Sequence, residues 1–194
     1  YNEFSYKNFT LSVLLDGQVG GKMYSHSHHK MTEQGKLAHT LNGRLPGTEF
    51  YMSKDDPRIA TAGLSPQDGM YMIAPGVVKN DDGSFSKNTK VVTVESYYKE
   101  YYRMANVETN TFSTDFLKLR EMRLEYKLPG STLKKTPFSK ASIAFYARNL
   151  FCITDYPLFD PESAALNGSS MVTGVETGSL PTARTFGLNI NLSF

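Results

Sequence analysis

Four stretches of the chain alternate apolar and polar residues with a period of two, and that pattern confines the fold to β-sheet. The last is the cleanest: Phe186, Leu188, Ile190, Leu192 and Phe194 alternate with Thr185, Gly187, Asn189, Asn191 and Ser193. Near the start, Phe9, Leu11, Val13, Leu15, Val19 and Met23 share one parity, with mostly polar residues and glycines between them. From about Thr114 to Leu128, Met122, Leu124, Tyr126 and Leu128 oppose Glu121, Arg123, Glu125 and Lys127. Leu117 and Leu119 fall on the parity of the charges, which predicts a β-bulge or an exit from the apolar zone. From Ala141 to Ile153, Ile143, Phe145 and Ala147 oppose Ser142, Ala144, Tyr146 and Arg148. The pattern predicts antiparallel strands near 7–24, 113–128, 141–153 and 184–194.

The connections alternate in length: a long one over 25–112, a short one over 129–140 and a long one over 154–183. Loops beyond ~12–15 residues are uncommon in compact soluble domains unless they are functional or carry structure of their own. Long loops on one side and short turns on the other suit a membrane barrel. A soluble sheet with one buried face would show the same alternation and stays open on periodicity alone. Four strands cannot close a membrane barrel, whose smallest members have about eight, and an open strand edge in lipid leaves backbone groups unpaired. The barrel reading therefore expects further chain. The start at Tyr1, with no Met and no secretory leader pattern, agrees with a piece of something longer.

Composition removes other classes. No run approaches the ~18 apolar residues of a membrane helix. Basic residues number 21 and acidic residues 19, a balance without the basic bias of a nucleic-acid binder. Twelve Tyr and twelve Phe argue against disorder, and the single Cys152 excludes an internal disulfide or a cysteine-cluster zinc site. Within the first long connection, 95–105 (ESYYKEYYRMA) reads as a short helix with Tyr97/Tyr101 and Tyr98/Tyr102 paired at i, i+4. The stretch 79–90 reads as a polar turn with a hairpin tip at Asp82-Gly83. In the second, Asp160, Pro161 and Glu162 have the chemistry of a helix start, and Asn167-Gly168 would end that helical turn.

Several segments resemble SusC/RagA-type TonB-dependent outer-membrane transporters. The stretch from Phe116 to Pro129 (FLKLREMRLEYKLP) is similar to that family's FLKLREVSLSYTLP-type strand. Ala147-Arg148-Asn149-Leu150-Phe151 resembles its GRNLF strand end, and Tyr156 to Glu162 (YPLFDPE) its YPGFDPE loop. Pro181 to Phe186 (PTARTF), followed by the Leu192-Ser193-Phe194 ending, resembles its P-x-x-R-T-F…LSF terminus. Residues 7–13 are similar to an earlier barrel strand. The resemblance spans 6–24 and 112–194 and leaves 25–94 unmatched. It implies an all-β fold: an antiparallel transmembrane barrel of about 22 strands, of which this chain holds the C-terminal four with long extracellular loops. It also implies TonB-dependent import of oligosaccharides or peptides across the outer membrane of a Gram-negative bacterium. The implied partners are a SusD-like surface lipoprotein, TonB, the barrel-assembly machinery and lipid, with no nucleic acid and no cofactor. A surface binding or scaffold barrel is the second reading, and a barrel enzyme the third.

Candidate sites follow. Tyr97, Tyr98, Tyr101 and Tyr102 could stack on substrate or touch a lid protein, or merely pack the helix against neighbouring loops. Glu121, Arg123, Glu125, Lys127 and Arg148 are expected to face a water-filled lumen as a charge ladder. By the resemblance, Phe186, Leu188, Ile190, Leu192 and Phe194 would form the signal read by the assembly machinery. His26, His28 and His29, with Glu33 and His39 as possible helpers, are expected to be a polar loop rather than a metal site. Asp155, Asp160 and Glu162 lack a calcium-loop pattern. Cys152 is expected to be a small packing residue. No nucleophile motif appears, so no catalytic residue is expected.

Overall fold

The computed structural model describes the chain apart from Asp68, Phe159, Ser163, Ala164, Gly168 and Ser169, and describes the backbone alone for 165–167, 170 and 171. The chain divides into two compact units. One, the sheet unit, comprises Tyr1–Met23, Phe112–Gly174 and Ser179–Phe194. The other, the inserted unit, comprises Tyr24–Thr111 and Val175–Gly178. No helix among the described residues is long and apolar enough to cross a membrane.

The sheet unit is an antiparallel meander of β1 (Asn2–Tyr6), β2 (Phe9–Gln18), β3 (Phe116–Lys127), β4 (Lys140–Thr154) and β5 (Thr185–Ser193). Because facing residues in a sheet share a side, register decides which side chains meet. Phe9 faces Tyr126, which faces Ile143, which faces Ile190. The next row is Leu11, Leu124, Phe145 and Leu188, and the next Val13, Met122, Ala147 and Phe186. On the other side Thr10, Glu125, Ala144 and Asn189 form one row and Ser12, Arg123, Tyr146 and Gly187 another. Gly187 is required there: a Cβ would come within 2.5 Å of the Tyr146 ring that lies over it. The apolar side is the open one, with Phe186, Leu188 and Ile190 at 59%, 67% and 64% exposure, while Thr10, Ser12 and Ala144 are buried.

The phase conflict at Leu117 and Leu119 resolves as a bulge. Leu14 pairs with Glu121 but Leu15 pairs with Leu119, leaving Arg120 as the extra residue. On β4 the register slips between Arg148 and Phe151, around Asn149 at φ +52°. The slip returns Leu117 and Leu119 to the apolar side, opposite Ile153 and Phe151.

The structure corrects the sequence reading in five places. β1 was not anticipated, since five residues give too short an alternation; Phe4 and Tyr6 nonetheless join the apolar rows opposite Leu11 and Phe9. The strand expected over 7–24 stops at Gln18, because Gly20 and Gly21 both take positive φ, and Lys22–Ser25 starts a separate short strand. The region expected as a loop over 25–112 folds into most of a unit with its own core. Among the described residues no helix follows Asp160: Ala165–Asn167 pairs antiparallel with Ser170–Val172 instead, while Ser163, Ala164 and the Gly168 expected to end that turn lie outside the described residues. The histidine segment is helical, as α1 (His26–Glu33), and not a polar loop.

The inserted unit is organised by a two-stranded ribbon, Tyr71–Ile73 against Val91–Thr93. Alternation puts a core on each side of it. Tyr71, Ile73 and Val91 pack with Met52, Leu64 and Ile59, the last from α2 (Pro57–Thr61). Met72, Val92 and Val94 pack with Phe50 and with Tyr97, Tyr98 and Tyr102 around α3 (Val94–Tyr101). A second hairpin, Val77–Lys79 against Phe85–Lys87, turns through Gly83 at φ +84°, where the Asp-Gly pair predicted a tip.

Candidate functional site

α3 begins at Thr93, whose hydroxyl accepts the Ser96 backbone N–H at 3.1 Å. The expected i, i+4 pairs form: the Tyr97 and Tyr101 rings stack at 5.4 Å and 11°, and those of Tyr98 and Tyr102 at 5.8 Å and 30°. The four residues then diverge in role. Tyr98 is buried and its hydroxyl donates to the carbonyls of His39 (2.8 Å) and Asn42 (3.1 Å). Tyr101 is half exposed. Burial and the neighbouring phenols raise the pKa of Tyr97, and burial pushes Tyr98 up to about 12. The helix thus presents neutral rings, suited to stacking rather than to proton transfer.

α1 is capped by Ser25, whose hydroxyl oxygen accepts the His28 N–H at 3.0 Å. The Ser25 and Ser27 hydroxyls donate to the two oxygens of Glu176 at 2.7 and 2.8 Å, and the Gly178 N–H donates to the same carboxylate. Neutral donors therefore hold a fully buried carboxylate. His28 Nδ1 donates to Asn110 Oδ1 at 2.9 Å and its ring stacks on His39 at 5.0 Å and 19°. His29 Nε2 bonds Glu33 Oε1 at 2.9 Å. Burial first, and the neighbouring imidazoles second, hold His28 and His39 below the ordinary histidine range, with the Asn110 bond opposing this at His28. Glu33 and His39 thus do join the histidines, but as partners in packing and hydrogen bonding. Among the described residues no three His, Cys, Asp or Glu gather to hold a metal.

Sequence reasoning missed an ionic knot in the sheet unit. Lys118 Nζ bonds Asp160 Oδ1 at 2.5 Å and also Glu162. Arg120, the bulge residue, bridges Asp16 at 2.7 Å and Glu162 at 2.5 Å. Asp160 also accepts the Glu162 N–H and the Thr182 hydroxyl, at 3.0 and 2.8 Å. Burial pushes Asp160 and Glu162 up, but the cations and hydrogen bonds prevail and hold both below the usual carboxylate range. Asp160 therefore ties a turn to a strand. The signal was present: Lys118, Arg120, Asp160, Glu162 and Thr182 lie in three of the segments that carry the family resemblance. The fourth joins them where Asn149 Nδ2 donates to the Ala183 carbonyl at 3.1 Å.

Glu121, Arg123, Glu125, Lys127 and Arg148 lie together on the polar side of the sheet. Arg148 Nε bonds Glu121 at 2.8 Å across strands, Arg123 reaches Glu125 at 3.2 Å along one strand, and Ser142 donates to Glu125 at 2.7 Å. Phe194 is largely exposed, its ring 5.1 Å from Phe138. Cys152, expected to be a small packing residue, is exposed on the polar side opposite Lys118.

No family model matches the chain. It is 31% identical over 87 residues to TonB-dependent receptor P3 of Formosa agariphila, a match covering 43% of this chain and 9% of the receptor. Its fold is similar to a chain in the structure of the RagAB peptide transporter, with a TM-score of 0.52 and 19% identity over 98% of this chain. It is likewise similar to one in the RagAB peptide importer in the open-open state, with a TM-score of 0.50 and 18% identity. The chain covers 16% of either solved chain, so it spans a small part of the proteins it resembles. The chain is thus similar to a segment of a SusC/RagA-type TonB-dependent outer-membrane transporter, the likeness its motifs carry.

Proposed function

We propose that the chain is part of a TonB-dependent importer in the outer membrane of a Gram-negative bacterium. The observation that carries this reading is the alignment of apolar side chains across all five strands on the open side of the sheet, with the charges gathered on the other. An open apolar face of this kind is satisfied by lipid, and the unpaired edges of β1 and β5 by further strands. In this reading the five strands belong to a closed barrel of about 22, the turns at 7–8 and 129–139 are periplasmic, and the long connections leave toward the outside. Glu121, Arg123, Glu125, Lys127 and Arg148 then line the lumen. Phe186, Leu188, Ile190, Leu192 and Phe194 present the terminal strand to the assembly machinery by strand addition. The cargo is an oligosaccharide or a peptide; the RagAB structures are by name those of a peptide importer. A SusD-like lipoprotein is the expected lid, and Tyr101 is the best placed of the four tyrosines to meet cargo or lid. The named relatives are a receptor and a transporter, which fits a protein without catalysis.

The test uses the full-length protein in its own cells. Uptake of labelled oligosaccharides and peptides should require both this protein and TonB, and Phe194→Asp should lower its outer-membrane level. Uptake that persists without TonB would favour a surface binding barrel instead, and normal membrane levels of the Phe194 variant would remove the assembly role.

A further inference from the structure

The inserted unit contains an open cleft of about 550 Å³ lined by Glu33, Gly35, Arg44, Val94, Tyr98 and Lys99 among others. Its charges are not equivalent. Lys99 is paired with Glu95, also a lining residue, and Glu33 with Lys30 and His29. Arg44 makes no ion pair with any described residue. Its Nη1 donates to the Gly35 carbonyl at 3.1 Å. Gly35 has φ +66°, and a Cβ there would stand 2.9 Å from that same nitrogen, so the missing side chain is what lets the guanidinium rest on the backbone. One of five N–H donors is thereby used to orient the fork, and the rest of a fixed, positive, planar group is left for a ligand.

We propose that Arg44 anchors a carboxylate subsite in this cleft, taking a monoanionic carboxylate of an imported molecule, whether from an acidic sugar or a peptide. The planar fork matches a carboxylate in two parallel hydrogen bonds. Glu33 and Glu95 balance Lys99 and Arg44 on the cleft wall, so the lining carries no surplus positive charge to favour a phosphate dianion over a carboxylate. Met70, Val94 and the ring of Tyr98 supply the apolar surface beside it. The assignment rests on the importer reading, since it makes the inserted unit a place where cargo is met.

Binding to the purified full-length protein in micelles tests it by calorimetry, with no energy source required. Two ligand pairs distinguish the sources: a short peptide with a free or amidated C-terminus, and a glucuronate-bearing oligosaccharide with its neutral glucose counterpart. In at least one pair the acid should bind about 10-fold tighter, as a charge-assisted fork implies. Arg44→Gln should erase that preference, bringing the acid and its neutral counterpart to similar affinities. If the Gln variant also loses the neutral ligand, Arg44→Lys decides: a reduced preference supports the subsite and an undiminished one overturns it. Equal affinities within both pairs, or inorganic phosphate binding more tightly than either acid, would overturn it too. Loss of this preference leaves TonB-dependent uptake standing, and loss of uptake leaves the binding result standing.

Discussion

In the sheet unit, Phe186, Leu188 and Ile190 stand open on the surface while Thr10, Ser12 and Ala144 are buried; in the inserted unit, Ile59 and Met72 are fully buried. The same kinds of residue are sorted in opposite directions within one chain. The inserted unit hides its apolar groups from water, as a soluble domain does. The sheet unit turns them outward, with hydrogen-bonded rows on its other side and an ionic knot, an arrangement that fits the proposed contact with lipid. In the proposed reading, two solvents are written into one sequence.

The largest way to break this comparison lies in the knot. Lys118→Met leaves Asp160 buried with its main cation gone, and the sheet unit should lose about 3–5 kcal/mol. Protease cleavage within 155–184 of the full-length protein should rise with it. The double change Lys118→Met and Asp160→Leu should recover much of the loss, and a double variant no better than the single would show that the knot contributes more than mutual neutralisation. Next, Ile59→Ala should cost the inserted unit about 2–5 kcal/mol, read as faster amide exchange in Met52, Tyr71 and Val91 with the sheet unaltered. Loss of sheet protection in that variant would end the claim that the two units carry separate cores. Leu188→Arg should cost about 2–4 kcal/mol if its position lies at mid-bilayer and should lower membrane levels, whereas Phe85→Arg on the exposed hairpin should do neither.

A smaller effect sets the units apart by pH. His28 and His39 are held below their ordinary value, so the unfolded chain binds more protons in mild acid than the folded one. The inserted unit should keep its full stability above about pH 6.5 and lose it as the pH falls below that value. Amide exchange in α1 at pH 7.5 and 5.5 would show it; His39→Gln should flatten the response, and a flat response in the unaltered protein would rule out the neutral stack. Least of all, Tyr101→Ala should change stability by no more than about 0.5 kcal/mol, so that any loss of ligand or lid binding in it reports contact rather than folding.

Legibility in the sequence followed the same division. β3, β4 and β5 were readable because each runs long enough for alternation to stand out, and the misfit of Leu117 and Leu119 even located the bulge. β1 was too short, and the glycine pair that ends β2 reads as an ordinary part of an alternating run until φ is known. The inserted unit was almost opaque. Its ribbon strands are three residues each and both their sides are buried, so no alternation appears. Of the tyrosine helix, the pairing was visible but not the division between buried Tyr98 and exposed Tyr101, which depends on His39 and Asn42 far away in sequence. The knot was hidden for the opposite reason: its residues were all in view, in separate motifs, and only folding brings them together.

Glu176 adds a matter of timing. It meets Ser25 across 151 positions of the chain, with β3 and β4 made in between. A chain synthesised from its N-terminus therefore has α1 long before it has the acceptor for Ser25 and Ser27. Until residue 176 emerges, the start of that helix must share its hydroxyls with water. The inserted unit is thus begun early and completed late in the order of synthesis, and its last buried carboxylate arrives only after the residues of β1 to β4 have been made.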